Sequence, residues 1–149
     1  MLVALSPLAG CDAFSPGVTN ATITGVEVTA LDFDRPWDSP ITGDLPDVYL
    51  HIKTAGSVVY GNEVWRSETR ENVGSGALPL GFRPEDATFD LDETAVVNVV
   101  DRDGTLHDEM FSTGALDIAD LYQGEERGTV STRTFADSTG AVTLTLRWN

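Results

Sequence analysis

The residues best able to do chemistry in this chain are carboxylates, gathered in two short stretches. One reads Asp101-Arg102-Asp103-Gly104-Thr105-Leu106-His107-Asp108-Glu109 and follows a valine-rich run. The other begins Asp32-Phe33-Asp34-Arg35-Pro36-Trp37-Asp38 and continues through Asp44 to Asp47, where an apolar alternation opens. Carboxylates are hard donors, and Ca²⁺ takes roughly six to eight oxygens without needing thiolate or imidazole. On an extended segment, side chains two apart point the same way, so Asp101 and Asp103 can grip one ion. Glycine at position 104 lets the loop turn back and bring Asp108 or Glu109 round. For Asp32, Asp34, Asp44 and Asp117 a solvated loop carboxylate is the simpler reading.

Other chemistries lack their residues. An EF-hand loop wants glycine at its sixth position and glutamate at its twelfth; counted from Asp101, glycine comes fourth and Ser112 stands twelfth. No Gly-x-Ser-x-Gly elbow, zinc cluster, P-loop or dinucleotide fingerprint is present, and no catalytic role is expected. Of the two histidines, His51 falls on the polar side of its strand and is expected to be exposed, while His107 belongs to the acidic loop. Trp37 and Trp65 could stack on a sugar, which keeps a carbohydrate-binding module as an alternative.

The elements that position these acids are strands. Period-two alternation dominates and helical periodicity is nearly absent. Strands are expected over residues 23–31, 48–53, 57–67, 87–91, 94–100, 129–135 and 141–148, with 115–121 as a short strand ending in a turn and 68–84 as an irregular crossing rich in Gly, Pro and charge. In the last strand Val142, Leu144, Leu146 and Trp148 alternate with Thr143, Thr145 and Arg147. This implies an all-β antiparallel sandwich of about eight strands, one domain over residues 21–149.

Asp and Glu number 24 against 9 Lys and Arg, a net charge of −15. Such a surface repels nucleic-acid phosphates, so nucleic-acid binding is disfavoured. The acidity serves general solubility or salt adaptation, or is partly concentrated where cations bind. Beyond the N-terminal apolar stretch, nothing approaches the roughly 18 apolar residues of a membrane span.

Taken in order, several of these motifs resemble C2 domains. Asp47-Val48-Tyr49-Leu50 looks like that family's Asp-Pro-Tyr-Val strand start, with Val48 where the proline would be. Val99-Val100-Asp101-Arg102-Asp103 followed by Asp108-Glu109 looks like its Asp-x-Asp loop. The segment 114–121 is similar to its glycine-led strand and turn, and 140–146 resembles its closing strand. The resemblance implies Ca²⁺ as cofactor, with Asp47, Asp101 and Asp103 as ligands. Asp38 is preferred to Asp44 from the first loop, and Asp108 or Glu109 completes the second. It also implies attachment to phospholipid or to a protein.

Leu8-Ala9-Gly10-Cys11, after an apolar start, resembles the lipobox of bacterial lipoproteins, although a basic n-region is missing. On that likeness residues 1–10 are a signal and Cys11 is the acylated N-terminus. Residues 11–20 are then a tether, and the protein is anchored at a bacterial cell envelope, periplasmic or at the surface, with phospholipid or an envelope protein as partner. A structural or adhesion sandwich without specific metal binding is the other reading.

Overall fold

Strict alternation gives a strand one apolar face, and two such faces close over each other to escape water. In this chain Val142, Leu144, Leu146 and Trp148 are fully buried, and so are Leu50 and Ile52 from a strand of the facing sheet. The computed structural model describes residues 17–35, 45–56, 63–103 and 106–149. Its elements are β1 (Asn20–Leu31), β2 (Val48–Thr54), β3 (Glu63–Arg66), β4 (Leu80–Phe82), β5 (Thr88–Asp90), β6 (Thr94–Asp103) and β7 (Leu106–Ser112). They are followed by β8 (Leu116–Asp117), the one-turn helix α1 (Ile118–Leu121), β9 (Val130–Ala136) and β10 (Gly140–Trp148).

The strands form two sheets. One has the order β4-β1-β10-β9, with β5 also pairing to β1; the other has the order β3-β2-β6-β7, with β8 pairing to β6. Every pairing among them is antiparallel. The core between the sheets is drawn from both, with Trp148, Phe89, Ile23 and Met110 among its largest members. The indole N–H of Trp148 donates to Ser131 Oγ, half-buried on β9, at 2.9 Å.

Two ends of this sandwich matter for function. At one, β1 runs out at Leu31, β2 starts at Val48, β6 finishes at Asp103 and the β9–β10 hairpin turns. Asp32, Asp47, Asp101 and Asp103 stand at these strand ends. At the other end the first and last strands meet: the Asn149 amide donates to Asn20 O at 2.9 Å, and Thr19 N–H donates to Asn149 O at 2.7 Å.

The antiparallel sandwich is as expected, but its details differ. Ten strands are described, not about eight. The stretch 68–84, expected to be irregular, contains β4, which pairs to β1 through only three residues, Val26 to Val28 against Phe82 to Leu80. The expected loop after β6 is instead a hairpin: β6 continues through Asp103, and β7 returns from Leu106. Residues 115–121, expected as a short strand ending in a turn, give the two strand residues of β8 and then the single turn of α1, where the Asp117 carboxylate caps the helix by accepting from Ala119 N–H at 3.0 Å. Of the expected strand 57–67, the positions 57–62 lie outside the described residues, as do residues 1–16 with Cys11.

Candidate metal centre

Asp101 is the centre of the acidic end. It continues the inward row of β6 after Val97 and Val99, both fully buried, and is itself fully buried. Its Oδ1 accepts from the Asp47 amide at 2.8 Å. Its Oδ2 is buried and has no hydrogen-bond partner. Burial pushes the carboxyl up from its ordinary value, the backbone amides of Asp47 and Arg102 oppose that, and the nearby charges of Asp103 and Asp47 push it up further.

Asp47 reaches this place through backbone clips. Arg102 N–H donates to Asp47 O at 2.9 Å, tying the start of β2 to the end of β6. On the other side, residues 70–73 act as an extra strip beside β2: Val48 and Arg70 exchange hydrogen bonds of 2.8 and 2.7 Å, and Val73 N–H donates to Pro46 O at 2.8 Å. Asn72, with a positive φ of 54°, turns its amide onto Asp47 Oδ1 at 2.9 Å. Nothing in the sequence pattern announced the strip, since its register is set by tertiary pairing.

The remaining candidates divide by face. Asp103 lies two residues beyond Asp101, hence on the same side of β6. Asp108 pairs directly opposite Asp101 across the β6–β7 ladder, which puts their Cβ atoms on one face. Glu109 pairs with Val100, on the opposite face, where its Oε2 accepts from Asn98 Nδ2 at 2.7 Å. Asp38 and Asp44 lie outside the described residues, and so do Gly104 and Thr105. Among the described residues, no three His, Cys, Asp or Glu side chains come close enough together to hold a metal ion.

The outer face of the second sheet holds a polar cluster that alternation located but did not weigh correctly. His51, expected to be exposed, is 4% exposed, and Tyr49 beside it is fully buried. The Tyr49 ring meets His51 and His107 edge-on at 6.2 and 5.7 Å, and the Arg66 guanidinium stacks on it at 4.2 Å. These neighbours cover the face. Burial lowers the His51 pKa, and Lys53, Arg66 and His107 lower it further, while Glu63, with its Oε1 3.8 Å from His51 Nδ1, raises it. Trp65 is half-buried against the core, and Trp37 lies outside the described residues.

No protein-family model matches the sequence, and no curated protein does. Solved structures do match in fold. A structure described as that of a C2 domain aligns with a TM-score of 0.54 at 10% identity, over 88% of this chain and 98% of that one. The paired C2 domains of extended synaptotagmin 2, calcium bound, align at 0.53 and 16% identity, over 89% of this chain and 45% of that one. Human GIVD cytosolic phospholipase A2 aligns at 0.59 and 15% identity, over 88% of this chain and only 17% of the enzyme's. The chain therefore spans less than a fifth of the phospholipase. What these likenesses show is the fold, and the fold is that of a C2 domain.

Proposed function

We propose that this C2-like chain is a non-catalytic module that binds Ca²⁺ at its acidic end through Asp101, Asp103 and Asp47, with Asp108 and Asp38 completing the set. One observation carries the reading: the fully buried Asp101 has a carboxylate oxygen, Oδ2, with no donor to satisfy it. An anionic oxygen withdrawn from water and left without a partner is costly, and the usual remedies are a proton, a hydrogen bond or a cation. The available donors are all oxygens, which suits a hard cation. Bound Ca²⁺ would neutralise the crowded charge and clip the start of β2 to the end of β6. Ca²⁺ in an extended synaptotagmin of the same fold supports this reading. The register favours Asp108 over Glu109, which faces away toward Asn98.

The proposal extends to place and partner. The lipobox-like Leu8-Ala9-Gly10-Cys11 supports an acylated Cys11 and a tether at a bacterial envelope, where the module attaches to phospholipid or to an envelope protein. Expression of the full chain with labelled palmitate should place the label on Cys11, and an unlabelled product would refute the anchor.

A structural sandwich that binds no metal is the second reading. In its favour, no three metal-binding side chains are gathered among the described residues. A calorimetric and thermal Ca²⁺ titration separates the two. Ca²⁺ should raise the melting temperature of the wild type, and Asp101→Asn with Asp103→Asn should abolish most of that rise. Metal-free stability should stay equal or improve, because like-charge repulsion is relieved. An equal shift in wild type and double variant would refute the site.

A further inference from the structure

We propose that the seam between the two edge strands β3 and β4 is a binding site for an organic oxyanion: a phosphate or carboxylate carried on an apolar body. Arg70 belongs by its backbone to the strip beside Asp47, so the arginine side chains are tested in the absence of Ca²⁺. β3 is the edge of one sheet and β4 the edge of the other, and between them lies a cavity of about 350 Å³. That is the lower end of the range typical of small-ligand pockets. Trp65, Glu68 and Arg70 line one side, and Gly81, Phe82 and Arg83 the other.

The lining divides into an apolar part and a cationic part. Trp65 and Phe82 are both packed into the core cluster and present what remains of their rings to the cavity. At Gly81 a side chain would meet nothing within 4 Å, so the backbone of β4 is open to an approaching ligand. The Arg70 guanidinium lies 5.9 Å from the centre of the Phe82 ring, a cation–π distance that leaves its N–H fork available. Arg35 pairs with Asp32 and Arg133 with Glu125, whereas no ion pair neutralises Arg70 or Arg83 among the described residues. Ser67, also on the lining, has its hydroxyl committed to the Leu50 amide and the Glu68 carbonyl, so recognition falls to the arginines.

Glu68 offsets one of the two positive charges, so the wall keeps a net charge of one arginine. In a chain of net charge −15, with Glu27 opposite Gly81 and Glu71 beside Arg70, it is the two arginine forks and not a net positive field that would supply recognition. Arginine's planar fork matches phosphate and carboxylate oxygens in pairs, and the aromatic wall suits the carbon body that bears them.

The test uses the full chain in EDTA, with phenyl phosphate as the soluble probe and the arginine Nε–H resonances and melting temperature as readouts. Phenyl phosphate should shift the Arg70 and Arg83 signals with a dissociation constant of about 1 mM or tighter. Inorganic phosphate, lacking the ring, should bind about tenfold more weakly. Arg70→Gln with Arg83→Gln should weaken phenyl phosphate binding at least about tenfold while leaving the unliganded melting temperature unchanged, since both side chains are exposed. Should that pair fold poorly, Arg83→Gln alone and Arg70→Lys with Arg83→Lys give the same ranking. Vesicles of phosphatidylcholine with phosphatidate form a second arm. Arginine-dependent cosedimentation assigns the oxyanion to a lipid headgroup, and binding of the soluble ester alone assigns it to a free small molecule. No resonance shift up to about 10 mM phenyl phosphate, or equal binding by the glutamine variants, overturns the proposal.

Discussion

His51 shows how a single side chain records its surroundings. It sits at 4% exposure, faced by Lys53, Arg66 and His107 as cations and by Glu63 as the one anion. Its folded pKa is lowered, so between that value and the unfolded 6.5 the unfolded chain binds a proton the native one refuses. The contribution is fully present above pH 6.5 and is lost as pH falls, by at most about 1.4 kcal/mol for each pH unit in the window. Urea unfolding at a series of pH values should show this slope, and His51→Gln should flatten it. Asp101 acts with the opposite sign from pH 3.8 upward, because its raised carboxyl takes up a proton in the native state first. The difference between wild type and the His51 variant therefore isolates the histidine. An unchanged slope in the variant would assign it elsewhere.

At the scale of elements, the tightest point joins β1, β10 and β7. A Cβ added at Gly140 would lie 2.9 Å from Ala30 O and 3.2 Å from the Phe111 side chain. The carbonyl belongs to the β1–β10 ladder and cannot retreat without breaking register. Gly140→Ala should therefore destabilise by about 2 kcal/mol through overpacking. Gly81→Ala, which meets nothing within 4 Å, should change stability by no more than about 0.5 kcal/mol. Denaturant midpoints check both, and equal effects would show that the ladder yields. The long strands were legible in the sequence because each buries one face, so Val142, Leu144, Leu146 and Trp148 advertise β10. Strand β4 was not, since its three residues are held by β1 rather than by any pattern of their own. Strand β7 was masked in another way: a bulge opposite Val99 and Val100 makes the consecutive Met110 and Phe111 both buried, which breaks alternation. Within the candidate site, the spacing of Asp101 and Asp103 was legible as two positions on one side of a strand, which β6 has. The strip at residues 70–73 that orients Asp47 was not, being brought there only by folding.

Over the whole molecule, 24 acids against 9 bases leave a self-repelling surface, and at the acidic end the charges of Asp103 and Asp47 act on Asp101. Two such charges about 4 Å apart repel by roughly 4 kcal/mol at an effective dielectric near 20. A cation bound there should stabilise the fold by about 2.7 kcal/mol at a free concentration a hundred times its dissociation constant. Mg²⁺ should do less, because it holds its water and demands octahedral geometry. The meeting of Asn20 with Asn149 adds a vector to this scheme. Strand β1 runs 12 residues from that junction to the acidic end, about 40 Å at roughly 3.3 Å per residue. The chain from Cys11 to Asn20 spans at most about 30 Å when fully extended. On the proposed anchor at Cys11, a molecule standing upright would carry its carboxylates at the pole farthest from its own bilayer. Any bridge they make through Ca²⁺ would then be in trans, to a facing surface or a neighbouring particle.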